Sequence, residues 1–247
     1  MNEQGINRLS RALRDAPCRG IGRAAARALA LAGLLTAATS PALADPGYYL
    51  VRPYSEAGQT TVDLRYWSVA PPDEAATLWP ELGLRHGVTS RWSTELLLSW
   101  IGPTMREQTL SSINWVNQVL LTQGDTPYDL GLHVQLIRNR GQGNAIEVGP
   151  IFQTEWGLTQ FNLNVFWAHD AASRRQNQAK LQWQGLYRWQ ADWRAGLQGF
   201  AEPKSWRAGP VLKARLDARV ELTAAYLWGN TYRSRGDMFS AQLQMGF

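Results

Sequence analysis

The feature that most constrains this chain is alternation. Apolar and polar residues trade places one by one through stretches of about ten residues, each ended by a turn. The end of the chain shows it plainly. Phe239, Ala241, Leu243, Met245 and Phe247 are apolar, and Ser240, Gln242, Gln244 and Gly246 lie between them. Side chains on a strand point alternately to its two faces, so a period of two describes a strand with unlike faces. From residue 45 onward there is neither an amphipathic helix of convincing length nor an apolar run long enough to cross a membrane as a helix.

Twelve such stretches can be read: 60–69, 79–87, 91–101, 108–121, 127–138, 145–156, 159–168, 178–190, 192–201, 206–216, 218–228 and 238–247. Their faces differ in kind. In 178–190, Ala179, Leu181, Trp183, Tyr187 and Trp189 oppose Lys180, Gln182, Gln184, Arg188 and Gln190. In 218–228, Val220, Leu222, Tyr226 and Trp228 oppose Arg219, Glu221 and Thr223. A soluble sandwich also alternates, with its apolar face turned inward. Here long charged and amide side chains recur on nearly every second face, which fits a closed wall with lipid outside and a polar interior. Pro150 and Pro210 are misfits, because proline cannot donate to a sheet ladder and marks a bulge or an edge. Stretch 108–121 has poor parity, with Asn117 on the apolar side. It calls for a bulge, or for ten strands in place of twelve.

The connections alternate as well. Those around 87–92, 156–159, 190–192 and 216–218 are tight, whereas 102–107, 138–145, 170–177, 202–205 and 229–237 are longer and more polar. Short periplasmic turns and longer outer loops are the pattern of a membrane barrel. The connection at 122–126 is longer than the other tight ones. The expected fold is therefore all-β, an antiparallel up-and-down transmembrane β-barrel of twelve strands.

Residues 1–27 carry six arginines against Glu3 and Asp15. An apolar run from Ala28 to Ala37 follows, and then Ala42-Leu43-Ala44. A basic region, a short apolar region and an A-x-A site make a secretory signal peptide, with cleavage expected after Ala44. The A-x-A site argues against an organelle transit peptide. The expected organisation is a signal peptide at 1–44, a periplasmic N-terminal segment at 45–59 and the barrel at 60–247. Six of the 25 basic and two of the 20 acidic residues precede Asp45, so the remainder is nearly neutral. The high pI belongs to the export segment, and no nucleic-acid partner is implied. Cys18, the lone cysteine, also falls in this segment.

With its export segment, its repeated strands and its terminal phenylalanine, the chain resembles the small outer-membrane barrels of Gram-negative bacteria. Val51-Arg52-Pro53 ahead of the first strand and the turn Gly87–Trp92 are similar to a broad group of such barrels, many only loosely described as transporters. The resemblance implies location in the outer membrane among its lipids. It also implies that the C-terminal strand closes the barrel and is read by the barrel-insertion machinery. Neither motif carries substrate information.

The tryptophans fit that placement. Trp92, Trp156, Trp189 and Trp193 lie at the short-turn end, and Trp67, Trp100, Trp167, Trp206 and Trp228 toward the long loops. With Tyr226 and Phe247, the outward members of these sets are the expected membrane-interface aromatics. Trp115 and Trp183 fall in mid-strand and suit a core equally well.

Chemistry is sparse. His86, His133 and His169 are far apart and lack metal-ligand spacing, so no metal and no cofactor is expected. His169, Asp170 and Ser173 form a compact trio, but in an outer loop, and a triad is defined by geometry rather than by proximity in sequence. No catalytic residue is assigned, and enzyme activity is not expected. The inward faces carry the remaining signal. The first half contributes Asp63, Glu81, Glu95, Asp129, Glu147 and Glu155, with Arg65, Arg85 and His133. The second contributes Lys180, Arg188, Arg194, Arg207, Lys213, Arg215 and Arg219, with Glu221. An acidic wall thus faces a basic wall. Two readings follow: a narrow channel whose transverse field selects small polar or zwitterionic solutes, or a plugged structural barrel bridged by salt bridges. A lipid-modifying enzyme is the third. Twelve tilted strands give a backbone diameter of about 24 Å, which side chains such as Trp67, Phe166 and Phe200 can largely fill.

Overall fold

The computed structural model describes residues 49–71, 75–122, 126–140, 143–171, 176–203, 205–229 and 236–247. The export segment and Ser173 lie outside these. Twelve strands run in chain order: β1 (Thr60–Ala70), β2 (Thr77–Gly87), β3 (Trp92–Ile101), β4 (Thr109–Leu120), β5 (Tyr128–Asn139) and β6 (Gly143–Trp156), then β7 (Thr159–Asp170), β8 (Gln176–Gln190), β9 (Trp193–Glu202), β10 (Ser205–Asp217), β11 (Val220–Gly229) and β12 (Asp237–Gly246). Each is antiparallel to its sequence neighbours, and β12 pairs with β1 to close the ring. The register of the closure runs from Thr61 opposite Gly246 to Ala70 opposite Asp237. Phe247 is tied in by its own amide, which donates to Thr60 O at 2.8 Å. Closure leaves no open edge, which a sheet in lipid cannot afford.

The two faces have opposite chemistry. On β1, Thr61, Asp63, Arg65, Trp67 and Val69 are buried inside, while Leu64 on the outer face is 42% exposed. The pattern repeats around the ring: Leu84, Leu96, Leu136, Leu181, Leu197 and Leu212 form an exposed apolar belt. Interior positions hold Asn114, Gln135, Asn162, Gln182 and Gln198. An apolar exterior around a polar interior inverts the arrangement of a soluble sandwich and matches a lipid-facing barrel.

The doubtful stretches resolve locally. β4 is one continuous strand, so the ring has twelve members. The bulge expected in this stretch is on β4, where Ser111 is the extra residue between Ser112, opposite Ser99, and Leu110, opposite Trp100. Asn117 does point outward, and its side-chain oxygen accepts a hydrogen bond from Trp92 Nε1 at 3.1 Å. Trp115 is likewise outward and 52% exposed, with Nε1 donating to Thr94 Oγ1 at 2.8 Å. Trp183 also faces outward, lying flat over Gly199, where an added Cβ would come within 2.5 Å of the indole.

The prolines mark neither an edge nor a register shift. Pro150 pairs with Leu132 of β5 and Pro210 with Leu197 of β9, and the register beyond each is unchanged on the other side. Each follows an inward glycine. A Cβ on Gly149 would lie 1.9 Å from Val165 O, and one on Gly209 would lie 2.1 Å from Tyr226 O. The Gly-Pro step thus draws one strand against the backbone of the next.

Candidate functional site

The interior is the candidate site. Asp63, Arg65, Glu81, Glu95, His133, Glu147, Lys180, Arg207 and Lys213 are buried there. Arg85, Asp129, Arg188, Arg194 and Glu221 are half-buried, and Glu155, Arg215 and Arg219 are exposed at the short-turn mouth.

The charges are gathered into ion pairs between near neighbours on the wall. Arg65 joins Asp63 and Glu95, each at 2.6 Å. Gly83 makes this possible, because a Cβ there would sit 2.3 Å from the Glu95 carboxylate. Gln242 and Gln244 of β12 donate to Asp63 across the closing seam at 2.9 and 3.2 Å. Lys180 pairs with Glu147 at 2.7 Å, and His133 Nε2 approaches the same carboxylate at 3.5 Å. Lys213 pairs with Glu221 at 3.0 Å. At the mouth, Arg194 reaches Glu155 at 3.3 Å and also donates to Gln160. Glu81 accepts from Ser99 Oγ at 2.8 Å, and Arg207 Nε donates to Gly236 O at 3.3 Å. A buried charge is tolerable only when paired and hydrogen-bonded. The pairing of Lys180 with Glu147 and of Arg194 with Glu155 joins the acidic sector to the basic one.

Toward the long-loop end the interior becomes apolar. Trp67 and Trp79 stack with centroids 3.8 Å apart. Val69, Phe200, Leu227 and Met238 pack with Trp67 in one buried cluster. Trp67 is therefore an interior residue and not a girdle one.

The short-turn half is filled differently. Residues 49–53, which the sequence places in a segment ahead of the barrel, lie inside it, and Tyr54 is exposed at the rim. A turn over Glu56–Gln59 reverses the chain at the rim, with Gly58 at a φ of 78°. Ser55 Oγ donates to Thr89 O at 2.9 Å. Tyr54 then donates its hydroxyl to Asp129 at 2.6 Å. Burial, followed by this bond, raises the Tyr54 phenol above its ordinary range. Pro53 is buried against Gly131, where a Cβ would approach the proline Cβ to 2.7 Å. Arg52 donates to Glu221 and Gln244, both at 2.7 Å. Val51 is buried with Ile151 and Phe166, and its carbonyl accepts from Asn164 Nδ2 at 3.1 Å. The Tyr49 ring lies 3.7 Å from the Arg65 guanidinium, a cation–π contact. This short stretch touches β5, β6 and β7 on one side and β11, β12 and β1 on the other. It is a strut across the lumen.

Cavities of about 150 and 160 Å³ flank Arg52 and Tyr54 near the short-turn mouth. A third, of about 40 Å³, lies deeper, between Tyr49, Arg65, Trp67 and Lys213. Sequence reasoning noted Val51-Arg52-Pro53 only as a lead-in. An arginine followed by proline does not reveal which carboxylate it will meet.

Of the aromatics assigned to the membrane interface, Trp92, Trp156, Trp189, Trp193 and Phe247 are exposed at the short-turn end. Trp167, Trp206, Tyr226 and Trp228 are exposed toward the long loops, and Trp100 is half-buried. The remaining histidines lie apart: His86 contacts Thr60, and His169 contacts Asn177 and stacks on Trp167.

These features, a closed ring of twelve antiparallel strands around a polar interior, define a porin-like outer-membrane β-barrel. Solved structures agree with that class. The chain is similar to KdgM porin, at 10% identity over 76% of this chain and 99% of that one, with a TM-score of 0.59. NanC porin is similar at 10% identity, covering 75% and 98%, with a TM-score of 0.57. An outer membrane channel from Pseudomonas putida F1 is similar at 13% identity, covering 82% and 99%, with a TM-score of 0.56. At such identities the likeness is one of fold. No family model and no curated protein matches the chain.

Proposed function

We propose that the protein is an outer-membrane channel for small polar or zwitterionic solutes, held shut in this conformation by its own N-terminal segment. One observation carries the reading: the short-turn half of the polar lumen is occupied by residues 49–53, a separate piece of chain, and not by wall side chains alone. The acid-rich sector of the first six strands and the basic sector of β8–β11 support selection of dipolar solutes. In this reading the export segment is removed after Ala44, the insertion machinery engages β12, and outer-membrane lipids cover the exposed apolar belt.

Conductance in planar bilayers tests the proposal. The native barrel should conduct little, and a full-length variant with the segment displaced should conduct well. Neutralising Arg207, Lys213 and Arg215 should then change the ion selectivity of the open form. A folded barrel that stays silent in every variant would overturn the channel reading. The second reading, a plugged structural barrel, draws on the Trp67–Trp79 stack and its apolar cluster at the other end of the lumen. That reading expects silence throughout.

A further inference from the structure

We infer that the short-turn half of the lumen is a peptide-binding site, and that residues 49–54 are its tethered ligand. The inference rests on the channel reading only in taking the lumen as accessible once that ligand leaves. Three observations support it.

The wall has ion pairs of its own. Arg65 has Asp63 and Glu95, and Lys213 has Glu221, so these buried cations of the wall have carboxylate partners that do not come from the segment. The segment belongs to no strand or helix. It is held by side-chain recognition rather than by a sheet ladder.

The contacts are of the kind that read a peptide. Asn164 reads a main-chain carbonyl, at Val51. Ile151 and Phe166 form an apolar seat for the residue before the arginine. Glu221 and Gln244 take one guanidinium nitrogen from two strands, the charged-donor geometry that discriminates arginine from neutral residues. Gly131 leaves a notch for proline that any side chain would close. The ligand class is therefore a short cationic peptide with an apolar residue, arginine and proline in succession.

The segment is also reached by solvent from the mouth. The cavities of about 150 and 160 Å³ beside Arg52 and Tyr54 lie at the mouth, and each is several times the volume of a water molecule.

The test uses full-length protein folded in detergent micelles and a fluorescent synthetic peptide, Tyr-Leu-Val-Arg-Pro-Tyr. Binding is read by anisotropy. Arg52→Glu sets the tethered arginine position against Glu221 and frees the site. This variant should bind the peptide about tenfold or more tightly than the native protein, the scale expected on breaking a hydrogen-bonded charge pair. A peptide with glutamate in place of arginine should bind about tenfold more weakly to it. Glu221→Lys alone, which repels the tethered Arg52 and so also frees the site, should reverse that preference. Should Arg52→Glu not fold, Pro53→Asp, a change on the tether and not on the wall, puts a charge against Gly131 and should also expose the site. Equal binding to native and released barrels, or no discrimination between the two peptides, would overturn the inference. Because binding is read without current, a barrel that binds but never conducts sinks the channel reading and keeps the site. One that conducts but never binds does the reverse.

Discussion

Tyr54 and Gly131 each hold the strut through a single contact. The Tyr54 phenol is raised by burial and by its bond to Asp129. A raised phenol contributes stability that is present below its unfolded value of about 10 and is lost as pH rises through the folded value. The segment's docking should therefore weaken in alkali by the share that this one bond supplies. Tyr54→Phe should lose about 1 kcal/mol of the segment's docking at neutral pH and should lack the Tyr54-linked alkaline step. Conductance against pH for the two proteins checks this. Gly131→Leu should cost about 1–3 kcal/mol by overpacking Pro53 and should raise conductance while the barrel keeps its heat-modifiable migration on SDS gels. Neither residue stood out in the sequence. Tyr54 lies in an unpatterned stretch, and Gly131 is one of 22 glycines, special only because another part of the chain comes to lie on it.

Strands were legible because their signal is local. Every stretch read from alternation has its strand, with ends within two residues, from β1 at Thr60–Ala70 to β12 at Asp237–Gly246. The alternation survives because lipid and lumen demand opposite residues at neighbouring positions. The Gly-Pro steps were misread because their meaning lies in the neighbouring strand. Gly149→Val should be severely destabilising, since its Cβ would meet Val165 O at 1.9 Å. Gly185→Ala, on the outer face, where a Cβ meets nothing within 4 Å, should be tolerated within about 0.5 kcal/mol. Urea unfolding midpoints in lipid vesicles would separate the two.

The exterior of the whole barrel is a continuous apolar belt, and its depth dependence can be measured. Leu96 is 50% exposed on the outer face of β3, and Leu96→Arg should cost about 2–4 kcal/mol near the bilayer midplane. Unfolding in vesicles against unfolding in detergent reads the difference. Alternation and loop lengths pointed by themselves to an up-and-down wall with charged and amide residues turned inward, because each strand reports its own two environments, while the choice of twelve strands over ten was settled by the continuity of β4. Which charges meet was decided only by the tertiary structure. Closing the ring brings Asp63 to Gln242 and Gln244 of β12, and the curve of the wall brings Glu147 to Lys180. The occupant of the lumen was decided there too. Residues 49–54 have no period of their own, and their place follows from partners on six strands scattered along the chain, which no local pattern encodes.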